Sequence, residues 1–337
     1  MRIGVRCDAR ERTGAGHLIR CVALAEELRG RGAEVVFLGT VTGPPWLLEL
    51  MAALGVPLVA APDEPERLAG LAVRLGLDRV VVDSYETDPG CCAALREAGI
   101  VVLAIVDDTL RGQHADLYLD QNLGAEDRPV ALPEGSTRLA GTSFVLLRDS
   151  VRRLRPERPR THTPGRPGVL CFLGGTDATQ AAPEVAARVL ATGAPVDAMV
   201  VAVTDEIAER VAALRTGPGQ TVTPIRPHPE LPAVAAAADL VIGAAGTTTW
   251  ELLCLGVPMA LVMVAENQRL GYDAVVARGL AAGLAEPDAP EELLRLLTDP
   301  GAREVLARRG HGLVDGRGRE RVADALLTAD PRSAACP

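Results

Sequence analysis

Gly14-Ala15-Gly16-His17-Leu18-Ile19-Arg20-Cys21-Val22-Ala23-Leu24-Ala25 decides the fold of this chain. It directly follows a short apolar run, Arg2 to Cys7, and opens a helical pattern. Two glycines let the backbone come close to a ligand, and the helix that starts there turns free N–H groups and its positive dipole end to the same place. His17 sits on that turn, and an unperturbed imidazole titrates where a base is useful near neutral pH. The stretch lacks the third glycine of the dinucleotide fingerprint and the Lys-Ser/Thr of a P-loop. A plain strand-to-helix turn with an exposed histidine accounts for it equally well.

Outward from that turn, the first half alternates strand-like and helix-like runs. Strands are expected at Arg2–Cys7, Glu34–Leu38, Pro57–Ala60, Arg79–Val82, Val101–Val106 and Leu117–Asp120, with helices such as His17–Arg31 and Trp46–Leu54 between them. Short apolar runs alternating with helices predict a parallel sheet covered on both faces. Residues 153–167 are basic and proline-rich and read as a linker. The alternation then restarts. Strands are expected at Gly168–Leu173, Val196–Val203, Thr221–Ile225, Leu240–Ala244, Met259–Val264 and Ala282–Leu284. Helices are expected at Ala182–Ala191, Asp205–Leu214, Leu231–Ala237, Thr248–Leu255, Tyr272–Arg278, Pro290–Thr298 and Arg319–Thr328. The fold class is α/β: two Rossmann-like doubly wound domains, 1–152 and 168–337, expected to face a central cleft.

Composition narrows the function. The chain has 337 residues, is 48% hydrophobic and carries a net charge of −9, which argues against a broad nucleic-acid face. Aromatics are only 2%, so stacking platforms for single strands are scarce and the cores must be aliphatic. None of the seven cysteines forms a C-x-x-C pair, so no zinc site is expected. No leader and no apolar run of about 20 residues is seen, and a cytoplasmic chain with reduced thiols is expected.

Several strand ends carry polar residues. Gly246-Thr247-Thr248-Thr249-Trp250-Glu251 opens a helix and suits a diphosphate; Glu251 either completes a capping box with Thr248 or accepts the hydroxyls of a ribose. Gly174-Gly175-Thr176-Asp177 either lines a ligand cleft or caps a helix. Glu266-Asn267-Gln268 follows another strand. In the first half, Val82-Asp83-Ser84-Tyr85 and Asp120-Gln121-Asn122 end strands, and Tyr85 is a candidate to position a substrate. Asp107-Asp108 reads as structural, and His114, His162, His228 and His311 as surface or loop residues.

Taken in order, Arg6-Cys7-Asp8, Gly14–Cys21, Val82–Tyr85, Ile105–Asp108, Asp120–Leu123, Leu146–Arg148, Phe172–Asp177, Gly246–Glu251, Glu266–Gln268 and Asp315–Gly318 resemble the UDP-sugar hydrolases of pseudaminic acid biosynthesis and the related spore-coat polysaccharide proteins. The resemblance spans residues 2 to about 325, with Gly-Thr-Thr standing where that family more usually has Gly-Ser-Thr. It implies the two-domain GT-B architecture and metal-independent hydrolysis at the anomeric carbon of a UDP-sugar, with no cofactor. His17 would be the base on water, oriented by Asp8, with Asn267 and Tyr85 completing the catalytic set. Gly16, Gly174, Gly175, Gly246, Thr247, Thr248 and Glu251 would bind the nucleotide, and Arg20 and Gln268 the sugar. The partner expected is a nucleotide-sugar substrate, with no nucleic acid and no membrane; a monomer suffices. A glycosyltransferase of the same fold, a hydrolysing 2-epimerase and a non-catalytic nucleotide-sugar sensor remain as alternatives.

Overall fold

The structure is a computed structural model. It describes the chain except residues 10–14, 160, 162–164, 176, 178, 265, 285–288 and 331–337, and except the side chain of Asn267. Gly14, Thr176 and His162 therefore lie outside the described residues. The chain forms two compact units, Met1–Arg148 with Gly316–Pro337, and Asp149–Asp315.

The first unit is built on seven parallel strands: β1 (Arg2–Cys7), β2 (Glu34–Leu38), β3 (Leu58–Val59), β4 (Arg79–Asp83), β5 (Val101–Ile105), β6 (Leu117–Asp120) and β7 (Thr137–Ala140). Their order is β3-β2-β1-β4-β5-β6-β7. Every residue of β4 and β5 is buried, as a parallel strand covered on both faces requires. Helices α1 (Gly16–Gly30), α2 (Pro45–Leu54), α3 (Pro65–Arg74) and α4 (Gly90–Glu97) make the crossovers. One core gathers Ile3, Leu18, Leu24, Leu28, Phe37 and Leu103; the other joins Leu68, Leu95, Val80, Val102 and Tyr118. Gly4 has a packing reason: a Cβ there would meet Leu77 Cδ1 at 2.6 Å and Leu38 Cδ1 at 3.0 Å.

The second unit begins with a single turn, α5 (Asp149–Arg152), and repeats the plan. It holds β8 (Gly168–Phe172), α6 (Ala182–Ala191), β9 (Val196–Val201), α7 (Asp205–Ala212), β10 (Gln220–Ile225) and α8 (Leu231–Ala237). These are followed by β11 (Leu240–Ala244), α9 (Thr248–Leu255), β12 (Met259–Val262), α10 (Arg269–Ala277), β13 (Ala282–Gly283), α11 (Ala289–Thr298) and α12 (Pro300–His311). The parallel order is β10-β9-β8-β11-β12-β13.

Two boundaries differ from the sequence reading. The second unit starts at Asp149, not at 168, because Arg155 bonds the carbonyls of His311 (2.9 Å) and Val314 (3.3 Å), and His311 bonds that of Pro156 (2.8 Å). His311 is thus a buried helix residue and not a surface one. The last helix, α13 (Gly318–Thr328), belongs to the first unit. Its Val322, Ala323 and Leu326 are in the core under α1. Arg79 donates to the carbonyls of Leu326 (2.6 Å) and Ala329 (2.7 Å), satisfying the helix end. A Cβ at Gly318 would fall 2.3 Å from the Val145 carbonyl oxygen, so only glycine lets α13 start there.

Candidate active site

In each sheet the strand order reverses once, between β1 and β4 and between β8 and β11. The crevice outside the carboxyl ends at such a switch point is where open α/β sheets bind ligands. His17 and Asp83 fall at the first of these places and Gly174, Gly175 and Gly246–Glu251 at the second, while Asp107, Asp120–Asn122 and Glu266–Gln268 end or follow strands further out in each sheet.

In the first unit, Cys7 at the end of β1 is the register partner of Asp83 at the end of β4. Helix α1 begins at Gly16, which puts His17 in its first turn. His17 and Arg20 are three residues apart and so share one helix face, which lies over Asp83. His17 Nδ1 is 2.6 Å from Asp83 Oδ1. Arg20 closes a fork on the same group, Nε to Oδ2 at 2.7 Å and Nη2 to Oδ1 at 2.7 Å. Asp83 is 1% exposed. Burial alone would favour its neutral form, but the Arg20 charge, and the bonds that Arg20 and His17 donate, hold the carboxyl well below the usual carboxylate range. The same pairing keeps Arg20 cationic despite full burial.

Arg20 Nη2 also lies 3.2 Å from His17 Nδ1. One nitrogen cannot donate to a carboxylate and accept from a guanidinium in the same tautomer. The shorter contact to an ionised oxygen decides it: Nδ1 carries the proton and donates to Asp83. The lone pair is then at Nε2, for which no described residue supplies a hydrogen bond. The His17 side chain is 16% exposed, so the ring is not sealed in the core.

A second pair stands beside the first. Tyr85 donates its hydroxyl to Asp107 Oδ2, and its ring meets the His17 ring edge-on, with centroids 4.6 Å apart and planes at 90°. Arg111 covers the Tyr85 ring at 4.4 Å and donates to the Tyr85 carbonyl at 2.7 Å. Asp107 Oδ1 accepts from Asn122 Nδ2 at 2.8 Å and lies 3.5 Å from Arg20 Nη1. Burial would raise the Asp107 carboxyl, but Arg20, Tyr85 and Asn122 outweigh it and hold it below its ordinary value. Burial and the adjacent Asp107 push the Tyr85 phenol well above its own. The turn after β5 places Asp108 (φ 64) and Arg111 (φ 53) in the left-handed region, a strain of about 1 kcal/mol each that active-site loops often carry.

Asp8, expected to orient His17, is engaged elsewhere. Its carboxylate pairs with Arg6 Nη1 at 2.7 Å and accepts from the Thr40 N–H at 2.7 Å. The residue that touches His17 is Asp83. Arg20, expected at the sugar, is 6% exposed and committed to two carboxylates. Asp107, read as structural, joins the network together with Asn122. A possible cation site lies below: the ligand atoms of Cys7, Cys21 and Asp83 are within 4.8 Å of one another. A cation there would have to displace the Arg20 fork, so this donor set does not suit one.

In the second unit, Gly246, Thr247 and Thr248 lead from β11 into α9. Thr247, not Thr248, is the N-cap of α9, and its side chain makes no cap bond. The N–H groups of Thr247 and Thr248 have no partner among the described hydrogen bonds, and a Cβ at Gly246 would meet nothing within 4 Å. Glu251 lies in the first turn of α9. On the neighbouring strand, Gly174 (φ 98) turns the chain after β8, and Gly175 follows it. Asp177 then caps the start of α6 by accepting from Ala181 N (3.1 Å) and Ala182 N (3.2 Å). Gln268 Oε1 accepts from Val264 N at 3.4 Å after β12.

No protein family and no curated protein matches the sequence. Solved structures do match over nearly the whole chain. Acinetobacter baumannii MurG aligns with a TM-score of 0.70 and 16% identity over 97% of this chain and 99% of its own. The spinosyn forosaminyltransferase SpnP aligns at 0.63 and 18%, over 97% and 99%. A Listeria monocytogenes protein assigned as a UDP-N-acetylglucosamine 2-epimerase aligns at 0.65 and 13%, over 99% of both chains. At these identities the likeness establishes the fold, which is α/β with two Rossmann-like units of the GT-B architecture.

Proposed function

We propose that the chain hydrolyses a nucleotide-diphosphate sugar at its anomeric carbon, with a UDP-linked 2,4-diacetamido-trideoxyhexose as the substrate class. The observation that carries this reading is the His17–Asp83 pair at the first unit's switch point, with the imidazole lone pair left at Nε2. Nε2 takes a proton from water as the water oxygen bonds to the anomeric carbon. The carbon–oxygen bond to the diphosphate breaks, and its electron pair leaves with the phosphate oxygen. The N–H groups of Thr247 and Thr248 at the start of α9 stabilise that charge, Gly246 leaves room for the phosphate beside them, and Glu251 accepts from the ribose. Asp83 stays ionised and stabilises the imidazolium as it forms. Tyr85 fixes the ring from the side. Gln268 and Asn267 complete the sugar end.

The whole-chain likeness to solved glycosyltransferases favours one second reading, in which an acceptor hydroxyl replaces the water and the same base serves. Purified protein offered UDP-, GDP-, CMP- and dTDP-sugars with EDTA and no acceptor separates the two. Release of free sugar and nucleoside diphosphate supports the hydrolase. Binding without turnover until an alcohol is added supports the transferase.

A further inference from the structure

Cys21 follows Arg20 and is wholly buried. Its Sγ lies 3.4 Å from Asp83 Oδ2, the oxygen that also takes Arg20 Nε. Cys7, also wholly buried, is beside it. A packing role alone asks only for a small apolar side chain there, and valine or alanine would meet it. Burial, Cys7 and Asp83 together hold the Cys21 thiol protonated, well above its ordinary range. A protonated thiol facing an ionised carboxylate is a donor.

We infer that Cys21 is a positioning residue of the His17 site: its S–H donates to Asp83 Oδ2 and fixes the carboxylate so that Oδ1 is aimed at His17 Nδ1. Asp83 then receives a donor from each direction in which it could turn, namely Arg20 along one edge, His17 at Oδ1 and Cys21 at Oδ2. Without the thiol, more negative charge stays on the carboxylate and the bond to His17 changes in both strength and aim.

The test uses three variants of the full chain. Cys21→Ala removes the donor and leaves a gap, Cys21→Val fills the volume without a donor, and Cys21→Ser keeps a donor. The first readout is the downfield proton resonance of the His17 Nδ1–H in the free protein. It should move further downfield in the alanine and valine variants alike and return toward the parent position in serine. The second readout, resting on the hydrolase reading, is turnover. Loss of one weak donor should lower kcat about threefold to tenfold with KM unchanged, and serine should recover it. A valine variant with the parent resonance would reduce Cys21 to packing and overturn the inference. So would a folded serine variant that shifts as far as alanine. The resonance needs no substrate, so the inference stands or falls even if the hydrolase reading fails.

Discussion

His17 and Arg20 share one carboxylate, and that sharing sets what each substitution does. His17→Ala removes the proposed base and should lower kcat by about 10²–10⁴ with little change in nucleotide affinity. A full-rate alanine variant would remove His17 from the chemistry. Asp83→Asn should cost as much, because an amide can present its NH₂ to Nδ1 and turn the imidazole to the wrong tautomer. It also leaves the Arg20 charge buried with only Asp107 beside it, a loss of about 3 kcal/mol at neutral pH. The sign with pH follows from the lowered Asp83 value. A carboxyl depressed in the folded state stabilises it above the unfolded value, near 3.9, and that stability fades as pH falls below it. Denaturant midpoints of parent and Asp83→Asn should therefore differ fully at pH 6–7, start to approach one another only below about pH 4, and converge as pH falls on toward the depressed folded-state value. A difference that grows in acid would contradict the pairing. His17 itself was legible in sequence from its turn, but its partner was not. Asp8 is nearer along the chain, and only the β1–β4 register, Cys7 opposite Asp83, brings the distant carboxylate under the ring.

At the scale of elements, the apolar runs were legible because parallel strands buried on both faces are nearly unbroken aliphatic stretches; Leu117–Asp120 and Leu240–Ala244 coincide with β6 and β11. β7 was missed. Thr-Arg-Leu-Ala is a short edge strand with only Leu139 buried, so it carries no such signal. Helix α13 was seen but assigned to the wrong unit, since an amphipathic helix does not say whose core it completes. Leu326→Ala should cost the first unit about 2–5 kcal/mol, measured by denaturation, through a cavity beneath α1. A neutral effect would mean that α13 does not close that core. The turn before α9 gives a cleaner separation of fold from function. Gly246→Ala has open space for its methyl, so stability should hold. A methyl against a bound phosphate should weaken UDP binding about tenfold, the worth of roughly one good hydrogen bond. Parent-like UDP titration of a stable Gly246→Ala protein would clear this turn of a phosphate role.

For the whole molecule, two doubly wound units were legible from two successive strand–helix alternations, and structural likeness along almost the full chain agrees. That fold serves transferases, and is shared by a protein assigned as an epimerase, so architecture alone does not choose the acceptor. In the mechanism proposed above, the choice rests on what His17 Nε2 deprotonates. The decisive measurement is turnover of the preferred nucleotide-sugar in oxygen-18 water without any acceptor, with the products weighed by mass spectrometry. Heavy oxygen on the anomeric hydroxyl of the free sugar, lost together with turnover in His17→Ala, is the result expected of a base acting on water at carbon. Heavy oxygen on the phosphate would place the attack at phosphorus and contradict it.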